Sequence, residues 1–290
     1  MPTQSDKLTE LRENAAPGEL PYISKSRVTT YKTCPRKFYY SYIKGLRGPS
    51  NFYMKRGTRV HTAFETYYEN IIDEWEKGVF HNDLSMYLPE DTLGWADFTE
   101  PFITNFLLFE YRRLDAVGVD NLEAFLPVGI EAEGWDDEAA PPWMGYADVI
   151  LKAASVPDLE ENEGVVIVDF KTGKTPKKQY RDDGIFLEGE YYAMLFEGEW
   201  DIAAVAGYFP KNDDFIVSPL DDERRERIYE YVAAMTESDL REHFAIKAQP
   251  LCAWSSEEGS QCDFYQICSS RWGCVNGPGP NYFDENKNPL

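Results

Sequence analysis

Apolar positions along the chain switch from a helical to a strand-like spacing near residue 125. Residues 1–20 carry no apolar stripe and read as a polar, unstructured tail. The segment ISKSRVTTYKTCPRKFYYSYIKGL opens with Ser24 or Ser26 at a helix-capping position and continues with interleaved aromatic and basic residues. From Thr58 to about Lys77, Val60, Phe64 and Tyr67 or Tyr68 recur at intervals that place them on one helical face. Aromatic-rich helical patterns such as TEPFITNFLLFEYRRLDAV follow, and the region of residues 80–123 is expected to be a helical insertion.

The pattern then changes. FLPVGIEAEGW, PWMGYADVILKAA and EGVVIVDFKTG are β-branched or alternating, are separated by turn-like stretches, and predict three strands of a central sheet. VVIVDF is nearly all apolar, as expected of a central strand covered on both faces. An amphipathic helix over FLEGEYYAMLFEGE, a strand over DIAAVAGYFP and a helix over residues 221–243 complete the series. This order predicts an α/β fold. The expected organisation is a tail (1–20), one domain (21–275) ending in a cysteine-bearing segment (250–275), and a flexible tail (276–290).

The 290 residues, 43% of them hydrophobic, are enough for one substantial core or a core with a smaller lobe. No apolar run approaches the roughly 20 residues needed to span a bilayer, and the first residues lack a signal-like apolar segment. These features point to an intracellular, cytoplasmic protein without a membrane partner. The 51 acidic and 29 basic residues give a formal charge of −22, which on its face argues against a nucleic-acid partner. The competing reading is a generally acidic surface, as in a high-salt cytoplasm, with a local basic path. Charge alone does not decide between them.

Four short pieces carry candidate chemistry. In GTRVHTAFE, His61 and Glu65 lie four apart and share a helical face. Asp148 sits inside the predicted strand GYADVI. In VDFKTGK, Asp169 and Lys171 are two apart at the end of the strongest strand, so both point to the same side. Glu188 and Tyr192 lie four apart on the helix that follows. A carboxylate inside an apolar strand is costly without a partner such as a cation. One imidazole and two carboxylates suit magnesium or manganese. Such an ion would act on a water and a scissile phosphate. Lys171 would stabilise the charge that develops. The plain alternative for Tyr192 is core packing, and for Glu65 a solvated helix face.

Together with CPRKFYY, these pieces resemble the PD-(D/E)XK nuclease superfamily, specifically its RecB-like branch, which includes nuclease domains of bacterial recombination complexes and CRISPR-associated exonucleases. The resemblance covers most of Ile23 to Cys268. It implies a restriction-endonuclease-like core, a central mixed sheet flanked by helices. It also implies a metal held by His61, Asp148, Asp169 and the main-chain carbonyl of Phe170, with Lys171 as the catalytic lysine. Where the family usually has a glutamine four residues before a tyrosine, this chain has Glu188 before Tyr192.

Five cysteines are present, Cys34 near the start and Cys252, Cys262, Cys268 and Cys274 crowded near the end. In a reducing compartment a shared metal or cluster explains such crowding better than disulfides. Some RecB-like proteins hold an iron–sulfur cluster with one cysteine before the nuclease core and three after it. The resemblance implies a 4Fe-4S cluster on Cys34, Cys252, Cys262 and Cys268. Cys274 is the alternative to Cys252. Zinc is the other candidate metal, because four thiolates also make a structural zinc site.

Basic residues gather near Cys34 (Arg36 and Lys37) and after the DxK strand (Lys174 and Lys177). Basic residues interleaved with aromatics suit a single strand, and the resemblance implies DNA as the partner, as single strands or duplex ends. The expected function is therefore a magnesium- or manganese-dependent deoxyribonuclease, by resemblance an exonuclease in recombination, repair, CRISPR adaptation or viral DNA processing. The rival is a non-catalytic DNA-end-binding scaffold. A Gly-rich phosphate loop with lysine is missing, so unwinding would fall to a helicase or another recombination or CRISPR partner.

Overall fold

A computed structural model describes residues 4–16, 19–46, 52–90, 92, 101–237, 255–256, 259–260, 262–264 and 268. The chain divides into two compact units. The larger comprises Phe52–Asp136 and Met144–Arg227, and the smaller Met1–Asn51, Asp137–Trp143 and Ile228–Leu290.

The larger unit begins with helix α1 (Phe52–Glu76), which buries Val60, Ala63, Phe64, Tyr67, Tyr68 and Ile71. Their three- and four-residue spacing makes one continuous apolar face, as the periodicity predicts. Helix α2 (Phe102–Val117) buries Phe102, Ile103, Phe106 and Phe109. Phe106 stacks on Phe64 with ring centroids 3.9 Å apart. Helix α2 thus contributes to the main core, as do Leu84 and Tyr87 of a short 3-10 turn. Helix α2 also buries an ion pair, with Arg113 Nη1 2.7 Å from Glu110 Oε2. Tyr68 Oη donates to Glu110 Oε1, and Arg113 Nη2 donates to Phe125 O and Ser155 Oγ. Such partners offset the cost of taking two charges out of water.

The sheet is mixed. Strand β1 (Pro127–Asp136) pairs with β2 (Trp143–Lys152), which runs antiparallel to β3 (Val165–Phe170). β3 is parallel to β4 (Ile202–Phe209), and β4 is antiparallel to β5 (Asp214–Ser218). All six residues of β3 are buried, as its apolar run predicts. The parallel pair requires a crossover, and residues 171–201 supply it with helix α3 (Leu187–Phe196). Gly189 lets α3 approach β4, since a Cβ there would lie 2.6 Å from Val205 Cβ. β5 is a correction to the expected element order. Its five residues, DFIVS, are too few to register as a period, and Asp213 before them turns the chain with φ of 54°. Helix α4 (Asp222–Glu237) follows; the rest of its expected span, to residue 243, lies outside the described residues.

In the smaller unit, Lys25–Thr33 and Pro35–Phe38 are helical and run into a wider turn at Tyr39–Ile43. Ser24 takes the extended capping conformation but makes no side-chain cap bond. Residues 1–20 are not a featureless tail, because Gln4–Asn14 is helical, with Lys7 paired to Asp137 at 2.8 Å and Arg12 donating to Tyr22 Oη. The sequence QSDKLTELREN is rich in good helix formers, and its polarity hides this from an apolar-stripe criterion. Among the described residues no helix is long and apolar enough to cross a membrane.

Candidate active site

Three elements of the larger unit bring acidic side chains together. Asp148 lies in β2 and Asp169 at the end of β3, on antiparallel neighbours whose register pairs Val149 with Val168. Asp148 Oδ2 accepts the backbone N–H of Phe170 at 2.6 Å and lies 3.5 Å from His61 Nδ1 on α1. Glu131 of β1 joins them. His61, Glu131 and Asp148 each offer a ligand atom within 4.8 Å of the others.

On the other side of Asp169 stands Lys171. Its backbone N–H donates to Tyr208 O, which prolongs the β3–β4 ladder by one residue. Its Nζ lies 2.6 Å from Asp169 Oδ2 and 2.8 Å from Glu188 Oε2 on α3. The two-residue spacing therefore does place Asp169 and Lys171 on one side, as strand geometry requires. Tyr192 lies one helical turn after Glu188. Gly145 leaves room for its ring, because a Cβ there would lie 2.9 Å from Tyr192 Cε1.

The electrostatics follow from this crowding. Burial, then the charges of Asp148 and Glu65, push the Glu131 carboxyl up to about 7 from an ordinary 4.5. Burial disfavours the His61 imidazolium, but its hydrogen bond and charge interaction with Asp148 more than offset this, so its pKa is raised above 6.5. Burial, then Asp169 and Asp148, push the Tyr192 phenol up, which keeps it protonated and able to donate a hydrogen bond. Burial, then Glu69, raises Glu65. A divalent cation fits this donor set. One imidazole and several oxygen donors suit magnesium or manganese, and a cation would offset the burial and carboxylate repulsion that raise the Glu131 pKa.

Of the residues singled out in sequence, His61, Asp148, Asp169, Lys171, Glu188 and Tyr192 share the larger unit. Phe170 contributes its main-chain N–H there, while its side chain joins the core. Lys174 and Lys177 are exposed in the loop that follows Lys171. Arg36 and Lys37 belong to the smaller unit, where Lys37 Nζ is 3.8 Å from Asp263 Oδ2 and Arg36 lies over the Tyr39 ring at 5.8 Å. Cys34, Cys262 and Cys268 are half-buried and belong to that unit, and Cys252 and Cys274 lie outside the described residues. Glu131 is the site residue that sequence reasoning missed. Period-two alternation places Glu131 and Glu133 on one face, which looks like a solvated edge. The strand breaks that period at Glu131, whose φ of 41° is rare for a residue with a side chain.

The family model of the PD-(D/E)XK nuclease superfamily matches residues 22–269. The chain belongs to the PD-(D/E)XK nuclease superfamily. Its mixed sheet flanked by helices is consistent with a restriction-endonuclease-like fold. No curated protein matches this PD-(D/E)XK chain. Among solved structures, the crystal structure of SSO0001 covers 92% of this chain and 93% of that one, at 14% identity and a TM-score of 0.35.

Proposed function

We propose that the chain is a magnesium- or manganese-dependent deoxyribonuclease of the RecB-like branch, working as an exonuclease on single strands or duplex ends. The observation that carries this reading is the convergence of His61, Glu131 and Asp148 beside the Asp169–Lys171–Glu188 chain of contacts. His61, Asp148, Asp169 and the main-chain carbonyl of Phe170 would hold the metal, with Glu131 as an added carboxylate. When bound, the metal supplies Lewis acidity toward water and neutralises charge on the scissile phosphate. Asp148 orients His61 through Nδ1 and is itself fixed by the Phe170 N–H. Lys171 brings an ammonium to the charge that develops on the phosphate, and Glu188 holds that ammonium in place. Tyr192 keeps its proton beside Asp169 and Asp148 and acts as a donor.

Lys174 and Lys177 are assigned to the DNA backbone, with Arg36 and Lys37 in the same role in the smaller unit. The biological setting is recombination, repair, CRISPR adaptation or viral DNA processing, with a helicase or another protein of such a pathway as partner. Cys34, Cys252, Cys262 and Cys268 are assigned to a 4Fe-4S cluster, which requires four thiolates. In the smaller unit, Lys37 is paired with Asp263 and the Tyr40 ring lies 5.3 Å from that of Phe264, which brings the Cys34 and Cys262 segments together. Closing this link across more than 200 residues would be a structural role.

A second reading, a DNA-end-binding scaffold, draws on one feature: Lys171 already lies against two carboxylates. The deciding experiment is degradation of end-labelled single-stranded and blunt duplex DNA with manganese, at low and high salt. Wild type is compared with Asp169→Ala and Lys171→Ala. Cleavage that both variants lose supports the metal nuclease. Binding by wild type without cleavage under every metal and salt condition supports the scaffold.

A further inference from the structure

The first two turns of α1 carry an unusual surface. Phe52, Tyr53 and Met54 are 47%, 55% and 55% exposed, beside exposed Lys55 and Arg59. In a chain of net charge −22, residues 52–64 include no acidic side chain and three of the chain's lysines and arginines. Adjacent large apolar side chains that are about half exposed mark a contact surface.

This surface is tied to the candidate active site within one unit. Arg56 donates from Nη2 to the carbonyl of Thr172, the residue after Lys171, at 3.4 Å. Its guanidinium lies 5.3 Å from the Tyr53 ring centroid and 4.9 Å from that of Phe102, which braces the helix start. His61 lies further along the same helix. At about 1.5 Å per residue, Phe52 stands roughly 14 Å from it along the axis. That is about the span of four stacked nucleotides at about 3.4 Å each.

We infer that residues 52–59 form a lip that guides single-stranded DNA into the active site, with bases stacking on Phe52 and Tyr53 and phosphates meeting Lys55 and Arg59. The inference rests on the nuclease reading above. Charge complementarity selects a polyanion, and the exposed rings select bases whose faces are not already stacked in a duplex.

The test measures fluorescence anisotropy of labelled oligo(dT) and of a blunt duplex with full-length protein carrying Asp169→Asn, so that binding is read without cleavage. Phe52→Ala/Tyr53→Ala should weaken oligo(dT) binding at least about tenfold and leave its salt dependence and the duplex affinity unchanged. Lys55→Ala/Arg59→Ala should lower the salt slope for oligo(dT) by about 1.4. Both variants replace exposed side chains, and an unchanged thermal midpoint confirms that they fold. Unaltered oligo(dT) affinity in both overturns the lip. So does sedimentation showing that wild type dimerises and Phe52→Ala/Tyr53→Ala does not, with DNA affinity unchanged. Separate cleavage assays on the Asp169-containing protein keep the two readings apart. Lip-dependent binding by a protein that never cuts overturns the nuclease and leaves the lip, whereas cleavage with lip-independent binding does the reverse.

Discussion

Lys171 Nζ donates to Glu188 Oε2 at 2.8 Å, across the junction between the end of β3 and the first turn of α3. By the proposed RecB-like resemblance Glu188 stands where glutamine is usual, and its contact with Lys171 makes the difference between the two side chains testable. Either side chain can accept from the ammonium, but only glutamate adds a negative charge next to Asp169. Glu188→Gln is expected to keep the lysine in place and leave single-turnover cleavage within about tenfold of wild type, with tighter DNA binding at low salt. Glu188→Ala removes the acceptor and should slow cleavage by about tenfold to a hundredfold. Equal rates for Ala and Gln would show that Glu188 does not position Lys171.

Glu131 should matter for metal affinity. It lies with His61 and Asp148 in a group whose ligand atoms are within 4.8 Å of one another. Calorimetric titration with manganese should show Glu131→Gln binding about tenfold to a hundredfold more weakly than wild type, while the variant remains folded. Unchanged affinity would place Glu131 outside the coordination set.

The same residues set a pH window for metal-free stability. Glu131 titrates at about 7 in the fold against an ordinary 4.5, so the folded state binds its proton more tightly. Stability linked to it is fully present below 4.5 and is lost as pH rises through about 7. His61, raised above 6.5, acts in the same direction, its contribution falling as the imidazolium loses its proton. In chelator, the thermal midpoint of wild type should fall relative to Glu131→Gln as pH rises from 5 to 8. Added manganese should restore it, more at pH 8 than at pH 5, because protons compete with the metal for these ligands. A parallel course for the two proteins in chelator would contradict this.

Much of the site was legible because local geometry decides it. VVIVDF had to be a covered strand, so Asp169 at its end was a buried carboxylate and Lys171 pointed the same way. The stripe of Val60, Phe64 and Tyr67 oriented α1 and left His61 off the apolar face. What stayed hidden depended on contacts between distant segments or on broken periods. The stacking of Phe64 on Phe106, 42 residues apart, joins helices α1 and α2 in one core. Glu131 reaches the site through a positive φ that no alternation rule anticipates. The strand Asp214–Ser218 is too short to show a period, and Gln4–Asn14 is a helix without an apolar stripe.

The buried Glu110–Arg113 pair predicts an asymmetry in stability. Each side chain is fully enclosed and bonded to the other. Glu110→Ala strands a buried guanidinium and should cost about 3–5 kcal/mol in urea denaturation. Replacing both by apolar residues of similar volume, Glu110→Leu with Arg113→Met, should cost much less, because no charge is left without a partner. If the double variant is as unstable as Glu110→Ala, the pair contributes through packing and not through charge.

The cysteine assignment makes the remaining prediction. Protein isolated without oxygen should be brown, with about four iron and four sulfide per chain. Cys34→Ser should abolish the colour, since Cys34 is the one ligand proposed from the N-terminal part of the chain, and should also lower the thermal midpoint by opening a link across more than 200 residues. Cys252→Ser should behave likewise, whereas Cys274→Ser should retain full iron. The opposite result for these two would make Cys274 the fourth ligand, and a colourless protein with one zinc would replace the cluster by a thiolate zinc site. In either case DNA cleavage by the refolded, loaded protein separates a structural clip from a participant in catalysis. Loss of cleavage in Cys34→Ser that parallels its loss of fold marks a clip, and loss of cleavage with the fold intact marks a participant.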